Sequence, residues 1–166
     1  MSPRLVGGAV ALSVFLADQA AKFAVLAAAP GAAGDSTPIL PFLSLALRWN
    51  RGISFSLFAQ NSAAGRVVLL GVTGAAVALL VWWLSNCHTK LAAAGLGAII
   101  GGALGNAVDR VIHGAVVDYL DLHVFGQHLF VFNLADAAIN VGVALLVIDL
   151  LFRSGGAEQA PQEGGE

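Results

Sequence analysis

The stretch VVLLGVTGAAVALLVWWL, Val67 to Leu84, carries no charged residue at all. A membrane helix needs roughly 20 mostly apolar residues, and this segment approaches that length. It closes on Trp82 and Trp83, side chains suited to a membrane interface. Working outward, three further segments read the same way. Leu5 to Ala29 is apolar apart from Asp18 and Lys22. Leu91 to Val108 is rich in glycine, with Gly97, Gly101 and Gly105 four apart, a small-residue face that lets another helix approach closely. Asn133 to Phe152 holds Asp136 near its start and Asp149 near its end.

Composition agrees with these four spans. The chain has 166 residues, of which 58% are hydrophobic and 11% charged, and its mean hydropathy is +0.83. A soluble domain carries about 25% charged residues. Eight Lys and Arg with ten Asp and Glu cannot cover the surface of a soluble domain this size. This excludes disorder, a nucleic-acid-binding surface and an ordinary cytosolic enzyme. The net charge of -2 says nothing about partners. The single cysteine, Cys87, excludes an intramolecular disulfide framework and a cysteine-based zinc site. The first span is too long for a signal-peptide h-region and carries an acid and a base, so it is expected to stay on the protein.

Two segments outside the spans read as extended. Leu43, Leu45, Leu47 and Trp49 alternate with Ser44, Ala46, Arg48 and Asn50, the pattern of a half-buried strand. Ile53, Phe55 and Leu57 continue it after Asn50-Arg51-Gly52, which predicts a hairpin. Val116, Asp118, Leu120, Leu122 and Val124 alternate too, with Gly126-Gln127 as the expected turn. Both segments are expected on one side of the membrane. Residues 1–153 form one domain in this reading, with spans near 5–29, 67–84, 91–108 and 133–152. Ser154 to Glu166 is expected to be a disordered tail. Charge does not orient the molecule: Arg4, Lys90 and Arg153 on one side balance Arg48, Arg51 and Arg66 on the other.

An ionisable residue inside a membrane marks a functional site by default. Asp18 and Lys22, spaced i, i+4, can pair on one helix face. Asp109 and Arg110 can balance each other, and Asp149 can reach the interface. Asp121 falls among the loop charges. Arg110 is then the only nearby cation for Asp109, Asp118 and Asp136, and its pairing with Asp109 leaves Asp118 and Asp136 without a partner. Two such carboxylates brought together share a proton, which suits general acid–base hydrolysis. Helix capping with structural pairing, and a proton or ion path, use the same residue types. A metal held by Asp121, His123 and His128 is a weaker fourth reading, because no HExxH is present.

The motifs Asp18-Gln19-Ala20-Ala21-Lys22, Asn50-Arg51-Gly52-Ile53-Ser54-Phe55-Ser56, Gly101 to Arg110, Gly114-Ala115-Val116-Val117-Asp118-Tyr119 and Phe132-Asn133-Leu134-Ala135-Asp136-Ala137-Ala138-Ile139 stand in order along the four spans. Together they resemble the lipoprotein signal peptidases of bacteria (signal peptidase II) over nearly the whole chain. The family usually has alanine where Ser54 stands and phenylalanine where Tyr119 stands. The resemblance implies an all-α membrane bundle of four transmembrane helices with a small extramembrane β-sheet cradle on the outer face. It implies an aspartic endopeptidase that cuts diacylglyceryl-modified prolipoproteins on the amino side of the lipidated cysteine, with no cofactor or metal. Asp118 and Asp136 match the catalytic pair. Asn50, Asn106, Arg110 and Asn133 match residues lining the substrate site, and Asp18, Lys22, Gly52, Gly105 and Asp109 match supporting positions. Partners would be prolipoproteins, membrane lipid and cyclic peptide antibiotics such as globomycin. The implied location is the bacterial inner membrane, with both termini cytoplasmic and the site near the outer face.

Overall fold

The computed structural model describes residues 1–28, 36–52 and 63–157. In chain order the elements are α1 (Pro3–Ala28), β1 (Ser36–Leu40), β2 (Leu43–Asn50), α2 (Ala63–Ser85), α3 (Lys90–Ile112), β3 (Val116–Val124), β4 (Gln127–Phe132) and α4 (Leu134–Ala157). All four helices are long and apolar enough to cross a membrane. At 1.5 Å per residue, the 23 residues of α3 give about 35 Å, more than the ~30 Å hydrocarbon core of a bilayer.

α3 is the axis of the bundle and packs against the other three helices. Its small residues form two stripes rather than one. Gly97 and Gly101 lie against the backbone carbonyls of Gly7 and Ala11 in α1. Gly95 and Gly102 lie against α4, where a β-carbon would come within 2.7 Å of the Gly142 carbonyl and 2.6 Å of the Ala135 carbonyl. Van der Waals contact between backbones replaces hydrophobic burial as the adhesive, because lipid already solvates apolar side chains. α2 has no residue buried by the rest of the protein within its apolar window.

α3 runs on past the expected end at Val108 to Ile112. Thr89 caps its start, accepting from the backbone N–H of Ala92 at 3.2 Å. Gly114 follows the far end at φ 74°, the left-handed conformation that stops a helix without a Cβ clash. The chain then turns at once into β3. α4 continues to Ala157, into the segment expected to be disordered. The residues beyond it, 158–166, lie outside the described ones.

The four strands make one antiparallel sheet in the order β1-β2-β3-β4. β2 pairs with β3 through Ser44↔Asp121, Leu45↔Leu120 and Arg48↔Asp118, with a register shift between Leu45 and Arg48. The hairpin predicted after Asn50 falls on residues 53–62, outside the described ones. On its other side β2 pairs with β1, which the alternation did not reveal. β1 is five residues long, wholly exposed and carries Pro38, all features of an edge strand. The β3–β4 turn is Phe125-Gly126, both at positive φ, one residue earlier than expected. Two positive φ angles match the right-handed twist of the strands.

The sheet sits on the bundle through Leu47, Val117 and Tyr119, which pack with Ala21, Val25 and Leu26 of α1 and Leu134 of α4. The Tyr119 hydroxyl accepts from the N–H of Leu134 at 3.3 Å. Trp49 tilts against His113 with ring centroids 5.4 Å apart. This packing holds β3 over the ends of α1, α3 and α4, where the polar residues gather.

Candidate active site

The site is built on a buried lysine. Lys22 donates to Asp18 at 2.8 Å, to Asp109 at 2.9 Å and to the Asn106 amide oxygen at 2.9 Å. Three protons meet three acceptors. A buried ammonium is tolerable only when so satisfied. Both carboxylates also accept from backbone N–H groups. Asp18 accepts from the N–H of Ala135 at 3.0 Å, and Asp109 from the N–H of Val117 at 3.0 Å. Gln19 adds contacts to Asp18 at 3.2 Å and to the Gly105 carbonyl and Asp109 at 3.3 Å. One cluster therefore ties α1, α3, β3 and α4 together. Gln19 stood inside a quoted motif, yet its role as a bridge was not read from it.

This corrects the expected partner of Asp109, which pairs with Lys22 and not with Arg110. Consecutive residues on a helix do not face each other, so Arg110 points elsewhere. Gly105 is required here by close approach: a β-carbon would press into the Asp18 carboxylate. Gly105→Ala should lower stability by about 1–3 kcal/mol, the usual cost of overpacking. Gly74→Ala in α2, where no described residue outside its own helical turn lies within 4 Å, should be neutral. Thermal unfolding of the two variants in detergent checks the contrast.

From Lys22 a relay of amides leads to the two remaining acids. Because Asn106 turns its oxygen to Lys22, its NH2 faces Asp136 and donates at 2.8 Å. Asn133 donates to the Asn106 oxygen at 3.1 Å and to Asp118 at 2.6 Å. Asn133 also caps α4. Its oxygen accepts from the N–H of Asp136 at 2.9 Å, and Asp136 accepts from the N–H of Asn133 at 3.2 Å, a reciprocal capping arrangement. Asn50 donates to the second oxygen of Asp118 at 2.9 Å. Its own oxygen accepts from Gly52 N–H at 2.9 Å, in a turn that Gly52 closes at φ 99°.

Asp118 and Asp136 are thus gripped by neutral amides, and no ion pair reaches either among the described residues. Asp118 is 2% exposed. Burial pushes its carboxyl up to about 6; the charge of Asp136 adds to this, while the hydrogen bonds from Asn50 and Asn133 oppose it. Arg110 stands beside the pair and interacts electrostatically with Asp136, Asp118 and Asp109. It donates to the Asn106 carbonyl at 3.3 Å. Its Nε is buried with no hydrogen-bond partner among the described residues, a donor those residues leave unused.

The residue pattern 10–152 matches the signal peptidase II family. The chain belongs to that family. It is 40% identical over 165 residues to a lipoprotein signal peptidase of Methylobacterium sp. (strain 4-46), covering 99% of this chain and 100% of that one. It is 43% identical to the lipoprotein signal peptidase of Methylocella silvestris, over 100% of this chain and 97% of the other. A bacterial membrane enzyme solved in meso at 2.3 Å matches the fold with a TM-score of 0.76 at 26% identity, over 96% of this chain and 94% of that chain. A second, solved at 1.9 Å, matches with the same TM-score at 28% identity, over 87% and 92%. The four-helix membrane bundle with its small antiparallel sheet is the fold of a signal peptidase II, and the protein is a membrane peptidase of that family.

Other expected site residues fall elsewhere. Asp121 is not a loop charge: it is buried on β3 and pairs with His128 at 2.7 Å, since the β3–β4 hairpin brings them together. His123 pairs with Ser44 at 2.9 Å. The two pairs meet through the His123 and His128 rings, whose centroids lie 6.2 Å apart, and among the described residues no group of three or more His, Cys, Asp or Glu is placed to hold a metal. Asp149, near the end of its span, is not exposed. It is buried against Thr89, whose hydroxyl donates to it at 2.6 Å.

Proposed function

We propose that the protein is an aspartic endopeptidase that removes signal peptides from diacylglyceryl-modified prolipoproteins, cutting on the amino side of the lipidated cysteine. The observation that carries this is the environment of Asp118 and Asp136: two carboxylates near one another, held by amide donors, with the only close ammonium committed to other acids. Such a pair keeps one proton between them. Asp118, held up near 6, is the member suited to keep it. Asp136 then takes a proton from a water, and the water oxygen attacks the scissile carbonyl carbon. Asp118 gives its proton to the carbonyl oxygen. On collapse of the tetrahedral diol, Asp136 returns its proton to the departing nitrogen, the C–N bond breaks, and a diol hydroxyl returns a proton to Asp118. No covalent intermediate or metal enters.

The Nε of Arg110, unpartnered among the described residues, together with Asn50, Asn106 and Asn133 is suited to hold a substrate backbone. Cyclic peptide antibiotics of the globomycin type would occupy the same groups. Residues 1–153 serve as one domain in this reading. The protein would lie in the bacterial inner membrane, with both termini cytoplasmic and the sheet and aspartates at the outer face, where a lipidated cysteine arrives. Gly52 and the Asp18, Lys22, Gly105 and Asp109 group support the site without touching substrate.

Incubating purified protein with a diacylglyceryl-modified precursor and following the mobility shift tests the proposal. Flux through liposomes that depends on Asp118 and Asp136, without cleavage, would instead favour a proton path. Chelators should leave turnover unchanged. A second check is pH. A raised carboxyl that must stay protonated is functional below its pKa and lost as pH rises through it. For the free enzyme, kcat/KM should therefore decline above about pH 6. A flat profile from pH 5 to 8 would contradict the assignment of the proton to Asp118.

A further inference from the structure

At the end of the bundle opposite the two aspartates, α3 begins and α4 ends. Between them lies a cavity of about 390 Å3, lined by Trp83, His88, Leu146, Asp149, Leu150 and Arg153, with Cys87 in its wall. That volume is within the range of ~300–1,000 Å3 typical of small-molecule sites.

Asp149 is the unusual group here. Its side chain is only 10% exposed. One oxygen accepts from the Thr89 hydroxyl at 2.6 Å. The other accepts no hydrogen bond from any described residue, and Arg153 stands 3.9 Å from it. A buried carboxylate with an open oxygen favours a charged N–H donor. The Arg153 side chain is 64% exposed, and a guanidinium offers five donors and no acceptor. Side by side, an open carboxylate oxygen and an exposed guanidinium complement a ligand bearing an ammonium and a phosphate. The apolar part of the wall leads outward, because Trp83 and Leu150 are also exposed on the surfaces of α2 and α4 that face lipid.

We propose that this cavity binds the headgroup of a membrane phospholipid of the phosphatidylethanolamine class. Asp149 accepts from the primary ammonium, Arg153 takes the phosphate, and the acyl chains lie along Trp83, Leu146 and Leu150. A trimethylammonium headgroup has no N–H to give Asp149. A glycerol headgroup has no cation.

The single cysteine makes the wild-type chain its own reporter, since Cys87 lines the cavity. Purified full-length protein is delipidated in detergent and supplied with phosphatidylethanolamine, phosphatidylcholine or phosphatidylglycerol of the same acyl chains. Phosphatidylethanolamine should slow alkylation of Cys87 by a maleimide about five-fold more than the other two. Native mass spectrometry should show the same preference in retained lipid. Asp149→Asn should abolish the preference, and Arg153→Gln should weaken retention of all three lipids alike, because each carries the phosphate. Equal protection by all three lipids would overturn the proposal, and so would an Asp149→Asn protein that keeps the preference. Equal protection by soluble phosphoethanolamine at the same concentration would overturn the assignment to a membrane lipid. Should Asp149→Asn fail to fold, the wild-type alkylation rates still decide the question.

Discussion

Asp118→Asn and Asp136→Asn should each reduce cleavage of a diacylglyceryl-modified precursor by about 1,000-fold or more, within the range of general acid–base catalysis and its partner effects. The two losses should not add, because in the proposed mechanism the acids act as one unit. Both substitutions preserve size. Asn at position 136 can accept from only one of Asn106 and the Asn133 N–H, because these donate to different oxygens of Asp136. Asn at position 118 likewise can accept from only one of Asn50 and Asn133 and turns its NH2 toward the other, so a modest shift in stability is expected at both positions. Thermal unfolding beside a gel-shift assay separates the two effects. Folded Asp136→Asn protein that retains a tenth of wild-type turnover would remove this residue from the chemistry.

The parts of the fold that lipid dictates were legible in the sequence. A bilayer leaves few ways to satisfy a backbone, so apolar length and the scarcity of charge located four helices. Counting charges also isolated Asp118 and Asp136, though by a wrong route. Asp109 was assigned to its sequence neighbour, whereas its true partner, Lys22, comes from a helix that only tertiary packing brings close. The amide relay was illegible for a related reason. Which way Asn106 turns depends on where Lys22 sits, and no local pattern encodes that. The burial of Asp121 and Asp149 was missed because each is covered by elements distant in sequence. β1 was missed because an exposed edge strand has no buried face and so no alternation to read.

Lys22→Met should be the most damaging substitution outside the acid pair. Methionine fills much of the same volume, so packing is nearly conserved and the lost charge dominates. Asp18 and Asp109 would each lose their ammonium while staying buried. Breaking a buried ion pair from one side costs about 3–5 kcal/mol, which corresponds to a fall in Tm on the order of 10 °C. Activity should fall further than stability does. With Lys22 gone, the Asn106 oxygen loses the cation that orients it, and its amide can turn away from Asp136. The folded fraction should therefore show reduced kcat as well. Adding Asp18→Asn should recover part of the stability, because it removes one uncompensated charge, yet leave kcat low, because Asn106 stays unoriented. Unfolding curves and turnover of the single and double variants measure both effects. A Lys22→Met protein with a Tm within a degree or two of wild type would show that the cluster is solvated rather than sealed. Recovery of kcat in the double variant would show that Asn106 takes its orientation from Asn133 alone.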